Sequence, residues 1–229
     1  MEYPHNRPYT ADDLVRIITL LRDPVNGCPW DKVQTHTSIR MNFLEEAYEA
    51  VDALDLDDPV LMCEELGDVL MQVAFHTCME QETGRFTWEQ VCDGVCQKLI
   101  ERHPNIFGAQ PGYEGITDWD ALKNKEKGRR TLADDLESVP RAMPALMRAA
   151  KLQKRAARHG AALQGADAAA LADAAKHLQT AQPASEQAEQ AVGELLFAAA
   201  NLARQAGVDP EQALQKANEA FCSAAGPVA

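Results

Sequence analysis

Apolar residues recur every three or four positions through the first hundred residues, which is the spacing of one face of an α-helix. Four such stripes follow one another, each bounded by residues that cap or end a helix. They predict helices from Thr10 to about Leu21, from about Ser38 to Leu56, from Asp58 to about Glu82, and from Thr87 to near His103. No segment alternates for long enough to predict a strand. The pattern therefore predicts an all-α fold that resembles a four-helix bundle with antiparallel neighbours.

A weak repeat of this pattern is visible in the second half of the chain. Gly67-Asp68-Val69-Leu70 is echoed by Gly193-Glu194-Leu195-Leu196, and Glu89-Gln90-Val91 is echoed by Glu211-Gln212-Ala213. The repeat indicates a second helical unit that begins near Pro140.

We therefore predict two domains, residues 1–136 and residues 137–229. A polar stretch from Lys123 to Asp135 precedes the boundary. Within the second domain, residues 161–190 are rich in Ala and Gln with little apolar bulk, so loose order is expected there.

The acidic balance of the chain narrows the function classes. With 35 acidic and 22 basic residues the net charge is −13, and no basic stripe of the kind that binds nucleic acid is visible.

No apolar run reaches membrane-spanning length, and the N-terminal residues lack the pattern of a signal peptide. The six cysteines contain no CxxC pair, which favours reduced thiols. We expect a cytoplasmic protein without nucleic-acid or membrane partners.

Two pairs of carboxylates carry the candidate chemistry. Glu46 and Glu49 lie three apart on the second predicted helix, and Glu65 and Asp68 lie three apart on the third, so each pair shares a helix face. If the two helices run back to back, the pairs face each other. Four converging carboxylates repel one another, and such oxygen ligands suit Mg²⁺ or Mn²⁺. Gly67 is costly in a helix interior and needs a reason, such as the close approach of a neighbouring helix or a ligand.

Other interpretations of these carboxylates stay open. A charged run on a helix is usually a solvated face, so either pair alone is weak support for a metal site. A di-iron bundle is a rival, but it uses Glu-x-x-His on two helices, whereas the fourth position here is Glu49 or Asp68.

Candidate partners for a phosphate-bearing ligand are fewer. Lys98 and Arg102 lie four apart on the fourth predicted helix and suit phosphate, although an ordinary surface pair is the simpler interpretation. Trp30 follows a Gly/Pro loop and can stack on a base, or plug the core. His36 and His76 have no spacing that predicts zinc or a catalytic triad, and His76 is expected to face the core. No Gly-rich phosphate loop of the G-x-x-x-x-G-K-[ST] type occurs.

These residues resemble the MazG family of all-α nucleoside triphosphate pyrophosphohydrolases. The resemblance covers roughly residues 10 to 130, and residues 134–146 are similar to the linker of the two-repeat members. It rests on Gly27-Cys28-Pro29-Trp30-Asp31, Gln34-Thr35-His36, Leu44-Glu45-Glu46-x-x-Glu49, Glu65-x-x-Asp68, Lys98, Arg102-His103-Pro104 and Phe107-Gly108.

The resemblance implies a function and a role for each candidate residue. It implies hydrolysis of nucleoside triphosphates to monophosphates and pyrophosphate, in a homodimer or larger assembly that cleanses the nucleotide pool or controls an alarmone. The implied roles are Mg²⁺ binding by Glu46, Glu49, Glu65 and Asp68, support of these ligands by Glu45, phosphate binding by Lys98 and Arg102, and contact with the base or sugar by Trp30. A nucleotide-binding or scaffolding helical protein without activity is the alternative.

The second repeat departs from the family pattern. Where two-repeat members carry a second EExxE, residues 172–177 read Ala-Asp-Ala-Ala-Lys-His. Ala191 stands opposite Glu65, and only Glu194 matches Asp68. Ala220 and Ala224 stand opposite Lys98 and Arg102. We predict that this repeat is catalytically inactive and serves packing or dimerisation. A smaller departure is Asn105, where the family often has a second His.

Overall fold

The computed structural model describes residues 2–5, 7–108, 127–128 and 130–226. Residues 109–126, which include part of the stretch that resembles the family and part of the polar stretch, lie outside the described residues. By their internal contacts, the residues form two compact units, Met1–Ile116 and Thr117–Ala229. The predicted division after residue 136 stays a prediction.

The described residues form helices and no strand, which confirms the predicted all-α class. In the first unit the helices are α1 (Ala11–Leu21), α2 (His36–Asp55), α3 (Pro59–Glu82), α4 (Trp88–Arg102) and the short α5 (Pro104–Phe107), with a 3₁₀ turn at Asp31–Val33. In the second unit they are α6 (Leu132–Glu137), α7 (Ala145–Arg158), α8 (Ala168–Thr180), α9 (Glu186–Gln205) and α10 (Pro210–Ala225).

Side-chain caps set where the helices of the first unit begin. Thr10 and Asp13 cap α1 reciprocally, and Thr87 with Gln90 does the same for α4, as predicted. Helix α2 starts two residues earlier than predicted, because Thr35 and Ser38 form a reciprocal capping box that satisfies the first backbone N–H groups.

Helix α3 is the centre of the first unit, since α1, α2 and α4 all pack on it. The core consists of Ile18, Ile39, Ala74, Phe75, Cys78, Met79 and Trp88. Asp58 caps the N-terminus of α3 and Pro59 occupies its first turn, three residues after α2 ends. The short connection makes α2 and α3 antiparallel neighbours. Helix α2 packs extensively on α3, and each carries a fully buried alanine, Ala53 on α2 and Ala74 on α3.

A buried arginine fixes the loop before α2. The Arg22 guanidinium donates to both Glu82 oxygens at 2.6 and 2.8 Å. It also donates to the backbone carbonyls of Asp31 and Gln34 and lies 5.2 Å from the centre of the Phe75 ring. Arg22 thereby ties the Trp30 loop to the C-terminal half of α3.

The second unit is built around α8 and α9, which pack on each other more extensively than any other pair of its helices. Its buried apolar residues are mainly alanines: Ala156, Ala166, Ala174, Ala191, Ala198 and Ala200. The stretch 161–190, for which the sequence predicts loose order, contains the helix α8. A helix can be stable there because small side chains allow two helices to pack without large apolar residues. Segment α6 packs on α7.

None of the helices among the described residues is both long and apolar enough to cross a membrane.

The second unit also contains a buried ion pair. The Asp135 carboxylate, 1% exposed, lies 3.0 Å from the Arg155 guanidinium, which also donates to the Asp135 carbonyl and the Ser138 hydroxyl. We expect Asp135→Ala to lower the free energy of unfolding of this unit by about 3–5 kcal/mol, because it leaves the Arg155 charge buried without its carboxylate. Denaturant titration followed by circular dichroism measures the loss.

Asp173→Ala is the matched control, because Asp173 forms an exposed pair with Lys176 at 3.1 Å that contributes little. Equal effects of the two substitutions would contradict a special contribution of the buried pair.

Candidate metal centre

Three carboxylates from two helices converge in the first unit. One oxygen each of Glu46 and Glu49 from α2 and of Glu65 from α3 lies within 4.8 Å of the others. Among the described residues no other group of three His, Cys, Asp or Glu residues meets this condition. The antiparallel packing of α2 on α3 therefore brings the predicted pair Glu46 and Glu49 together with Glu65, one member of the other predicted pair.

The fourth predicted carboxylate, Asp68, lies beside this group rather than within it. Asp68 is partly buried, and its charge acts on both Glu46 and Glu65. Glu45 is exposed and lies outside the group, but its negative charge raises the pKa of Glu46. The five acidic residues of the prediction thus form one electrostatic cluster, of which three supply the converging oxygens.

The repulsion within the cluster is visible in two pKa values. Burial raises the pKa of Glu46, and the charges of Asp68, Glu49 and Glu45 raise it further, against a hydrogen bond from Gln72 that lowers it. Burial also raises the pKa of Glu65, as do Glu49, Asp68, Glu64 and Glu46. All the charges that shift the pKa values of Glu46 and Glu65 are negative. A cation placed among them would relieve this repulsion.

Gln72 is a site residue that the sequence analysis missed. It lies four residues after Asp68 on the same face of α3, is 7% exposed, and its Nε2 lies 3.4 Å from Glu46 Oε1. Its own Oε1 is buried and has no hydrogen-bond partner among the described residues. The spacing Glu65, Asp68, Gln72 is the signal that would have found it.

Gly67 faces open space. A Cβ built on Gly67 meets no atom of the described residues within 4 Å, so the expectation that a neighbouring helix comes close there is wrong within that part of the chain. Leu66 and Leu70, on either side of it, are 50% and 40% exposed. The surface of α3 next to the carboxylates is therefore open to a ligand or to another chain.

None of the remaining predicted residues belongs to the group of converging carboxylates. Lys98 is exposed on α4, and Arg102, partly buried, is the last residue of that helix. Trp30 is 56% exposed and contacts Phe75 edge-on, with ring centres 6.5 Å apart. It therefore does not plug the core, and most of its ring is available to a ligand.

Two histidines that have no suggestive spacing in the sequence meet in the structure. His36 at the start of α2 stacks on His76 of α3, with Nδ1 atoms 2.7 Å apart, and its Nε2 lies 2.5 Å from Glu80. His76 is partly exposed, so the expectation that it faces the core is only half met. His103 is the C-cap of α4, as expected of a residue at a helix end.

Comparison with known proteins gives consistent matches. The profile of the MazG nucleotide pyrophosphohydrolase domain matches residues 34–107, which include every candidate residue above except Trp30. A nucleoside triphosphate pyrophosphohydrolase of Escherichia coli K12 is 41% identical over 224 residues, which cover 92% of this chain and 83% of the relative. A nucleoside triphosphate pyrophosphohydrolase/pyrophosphatase MazG of Thermotoga maritima is 40% identical over 212 residues, 92% of this chain and 82% of the relative.

The raised pKa values lead to a stability prediction that needs no substrate. A carboxyl group whose pKa is raised in the folded state binds protons more tightly there than in the unfolded state. Its ionised form therefore destabilises the fold at high pH, and this destabilisation is lost as the carboxyl becomes protonated at low pH. In EDTA at pH 8 we expect the double variant Glu46→Gln/Glu65→Gln to melt about 1–3 °C higher than the wild type. The difference should shrink as the pH falls through the raised pKa values and vanish below the ordinary glutamate pKa of about 4.3, where both states are protonated.

Differential scanning calorimetry across this pH range measures the effect. Glu194→Gln in the second unit is the control and should give no pH-dependent gain. A double variant that melts below the wild type at pH 8 would mean that the cluster is not repulsive.

Proposed function

The chain belongs to the MazG family of nucleotide pyrophosphohydrolases, and on that premise we propose that it hydrolyses nucleoside triphosphates to nucleoside monophosphates and pyrophosphate. The proposed site is the groove between α2 and α3 in the first unit. The proposed roles in the cell are cleansing of the nucleotide pool or control of an alarmone, in the cytoplasm.

The convergence of Glu46, Glu49 and Glu65 is the observation that supports this proposal most strongly. A solvated helix face does not require carboxylates from two helices to bring their oxygens within 4.8 Å of one another. Such an arrangement costs free energy unless a cation binds, as the raised pKa values of Glu46 and Glu65 indicate. A function at this site, such as cation binding, explains why the fold keeps an arrangement of carboxylates that is electrostatically unfavourable.

The donor set fits Mg²⁺, with Mn²⁺ as a substitute. All candidate ligands are carboxylate oxygens, which hard divalent cations prefer, and neither cysteine nor histidine belongs to the group. We propose that Glu46, Glu49, Glu65 and Asp68 hold the metal and that Glu45 adds to the negative field around them. When bound, the metal supplies charge neutralisation for the phosphates and activation of water.

The protein's other side chains would bind and orient the nucleotide. Lys98 and Arg102, four residues apart on a helix that packs on α3, are proposed to bind phosphate oxygens, Arg102 through its planar guanidinium. Trp30 is proposed to stack on the base or sugar, since its ring is largely exposed. Gln72 would hold Glu46 in place by donating a hydrogen bond from its amide.

We propose that the second unit has no active site of its own. At the positions opposite Glu46 and Glu65 it has Ala174 and Ala191, both buried at 2% and 3% exposure, so no oxygen ligands are present there. Of the first unit's metal ligands only Asp68 has an acidic counterpart, Glu194.

We also propose that the protein is a homodimer. Large apolar side chains lie exposed along α4 and α5, where the exposed fraction ranges from 47% to 67%: Val95, Leu99, Ile100, Ile106 and Phe107. Contiguous exposed apolar residues of this kind usually mark a protein–protein contact.

A second candidate function is nucleotide binding or scaffolding without catalysis, and the loss of the acidic residues from the second unit favours it. A di-iron centre is less well supported, because the histidines that the structure brings together, His36 and His76, are not members of the carboxylate group.

A matched pair of variants in the full chain tests the proposal. With Mg²⁺ and each NTP or dNTP, we expect Glu65→Gln to lower pyrophosphate release by about 100-fold or more, because metal-assisted charge stabilisation is worth several kcal/mol. Glu194→Gln should retain wild-type turnover, and EDTA should abolish activity until Mg²⁺ or Mn²⁺ is restored. Binding of nucleotide without turnover would support the second candidate function instead.

The positioning role of Gln72 has its own test. We expect Gln72→Leu to weaken Mg²⁺ binding by about 10- to 100-fold, as is usual when a ligand loses the group that orients it. Isothermal titration calorimetry measures this affinity without substrate. Gln81→Leu, an exposed position on the same helix, is the control, and equal affinities for the two variants would contradict the role of Gln72.

A further inference from the structure

A chain of close polar contacts runs from Glu80, which is paired with Arg85, through His36 to the partly exposed His76 ring. Arg85 Nη2 donates to Glu80 Oε1 at 2.7 Å, and Arg85 Nε lies 2.6 Å from Glu80 Oε2. His36 Nε2 lies 2.5 Å from Glu80 Oε1, and His36 Nδ1 lies 2.7 Å from His76 Nδ1. Glu80 is a buried residue. The chain therefore begins at a buried, charge-paired carboxylate and ends at the His76 ring.

When both rings are neutral, these contacts assign the protons on their nitrogens. A carboxylate that is paired with a guanidinium only accepts hydrogen bonds, so His36 Nε2 must be the donor to Glu80. In neutral His36 the other nitrogen, Nδ1, is then an acceptor. His76 Nδ1 must therefore carry a proton and donate it to His36. The remaining nitrogen of a neutral His76, Nε2, is left as an acceptor, and none of the described residues donates to it.

The surroundings of His76 favour its neutral form. Burial lowers the pKa of His76, and the neighbouring His36 lowers it further. The Phe43 ring packs against His76, with ring centres 5.7 Å apart. At neutral pH and above, His76 is therefore expected to present a lone pair rather than an N–H group.

His76 lies on the face of α3 that carries the carboxylates. Glu65, Asp68, Gln72 and His76 follow one another along one face of α3 at helical spacing. His76 lies about 12 Å along the helix from Asp68. On α2 the facing residues are Glu46 and, one turn before it, Phe43. The surface formed by these residues thus changes from acidic at one end to neutral, aromatic and hydrogen-bonding at the other.

We propose that His76 Nε2 accepts a hydrogen bond from the nucleoside of the bound substrate, from an N–H of the base or the 2′-hydroxyl of the sugar, and so contributes to substrate selection. This inference rests on the proposed function, since it places the phosphates at the carboxylate end of the groove. The nucleoside then extends toward His76 and toward Trp30, whose ring is exposed beside Phe75, the residue before His76. His36 and Glu80 act as positioning residues that hold His76 in the required tautomer.

Kinetics on a substrate panel test the contact. ATP, GTP, CTP, UTP and their 2′-deoxy counterparts are compared for the wild type and for His76→Phe, which keeps an aromatic ring and removes both nitrogens. We expect KM to rise about 10-fold for substrates that carry the donor, with kcat little changed, because a ground-state hydrogen bond is lost. The wild type's preference between substrates with and without that donor should disappear in the variant.

Two further variants separate contact from positioning. His36→Phe keeps the stacked ring but removes the acceptor that fixes the His76 tautomer, so it should lose part of the same preference. His177→Phe, an exposed histidine of the second unit, is the control and should match the wild type. If His76→Phe lowers kcat/KM equally for every nucleotide, or changes none of them, the proposal is wrong.

Nuclear magnetic resonance supplies a readout without metal or turnover. In protein with ¹⁵N-labelled histidine at pH 8, the two-bond ¹⁵N–¹H pattern should show His76 protonated at Nδ1 and His36 at Nε2. A His76 protonated at Nε2 overturns the inference even if the enzyme is active. Conversely, absence of turnover in the wild type would refute the proposed function and leave this tautomer assignment standing.

Discussion

The close antiparallel packing of α2 on α3 is the constraint on which the rest of the first unit depends. Ala53 and Ala74 are fully buried and allow the two helix backbones to approach. The three-residue connection between Asp55 and Pro59 fixes their direction. Apolar contacts elsewhere in the core then hold together carboxylates that would separate if they were free to move. Packing thus imposes the electrostatic cost, and a bound cation is the simplest way to remove it.

The charges of the first unit are distributed unevenly around this pair of helices. Near the C-terminal end of α3, the acidic residues Glu80 and Glu82 are matched by Arg85 and Arg22. Near its N-terminal end, the charges that shift Glu46 and Glu65 are all acidic. Ion pairs therefore stabilise the end that fixes the Trp30 loop and His36, whereas the other end keeps its negative field for a ligand.

The two units show how far a shared helical pattern can diverge in chemistry. In both, a pair of neighbouring helices packs through buried alanines, and in both a Gly-Asp or Gly-Glu pair lies on the second helix of that pair. The second unit has alanine at the positions of Glu46 and Glu65, and its helix pair packs without them. The architecture therefore does not need the carboxylates, and their presence in the first unit is better explained by function than by folding.

Local signals in the sequence determined the helices and the candidate carboxylates. Capping pairs such as Thr10–Asp13 and Thr87–Gln90 mark helix ends through bonds within a few residues, and the three-residue spacing of Glu46 and Glu49 follows from helix geometry alone. Only the tertiary structure decided which groups meet across helices. Gln72 on Glu46, His36 on His76, and the exposure of Trp30 all depend on the register of α2 against α3 and on the Arg22 contacts. These contacts join residues far apart in the chain. The spacing within a single helix places Gln72 on the face of α3 that carries Asp68, but it does not tell which side chains of other helices meet that face.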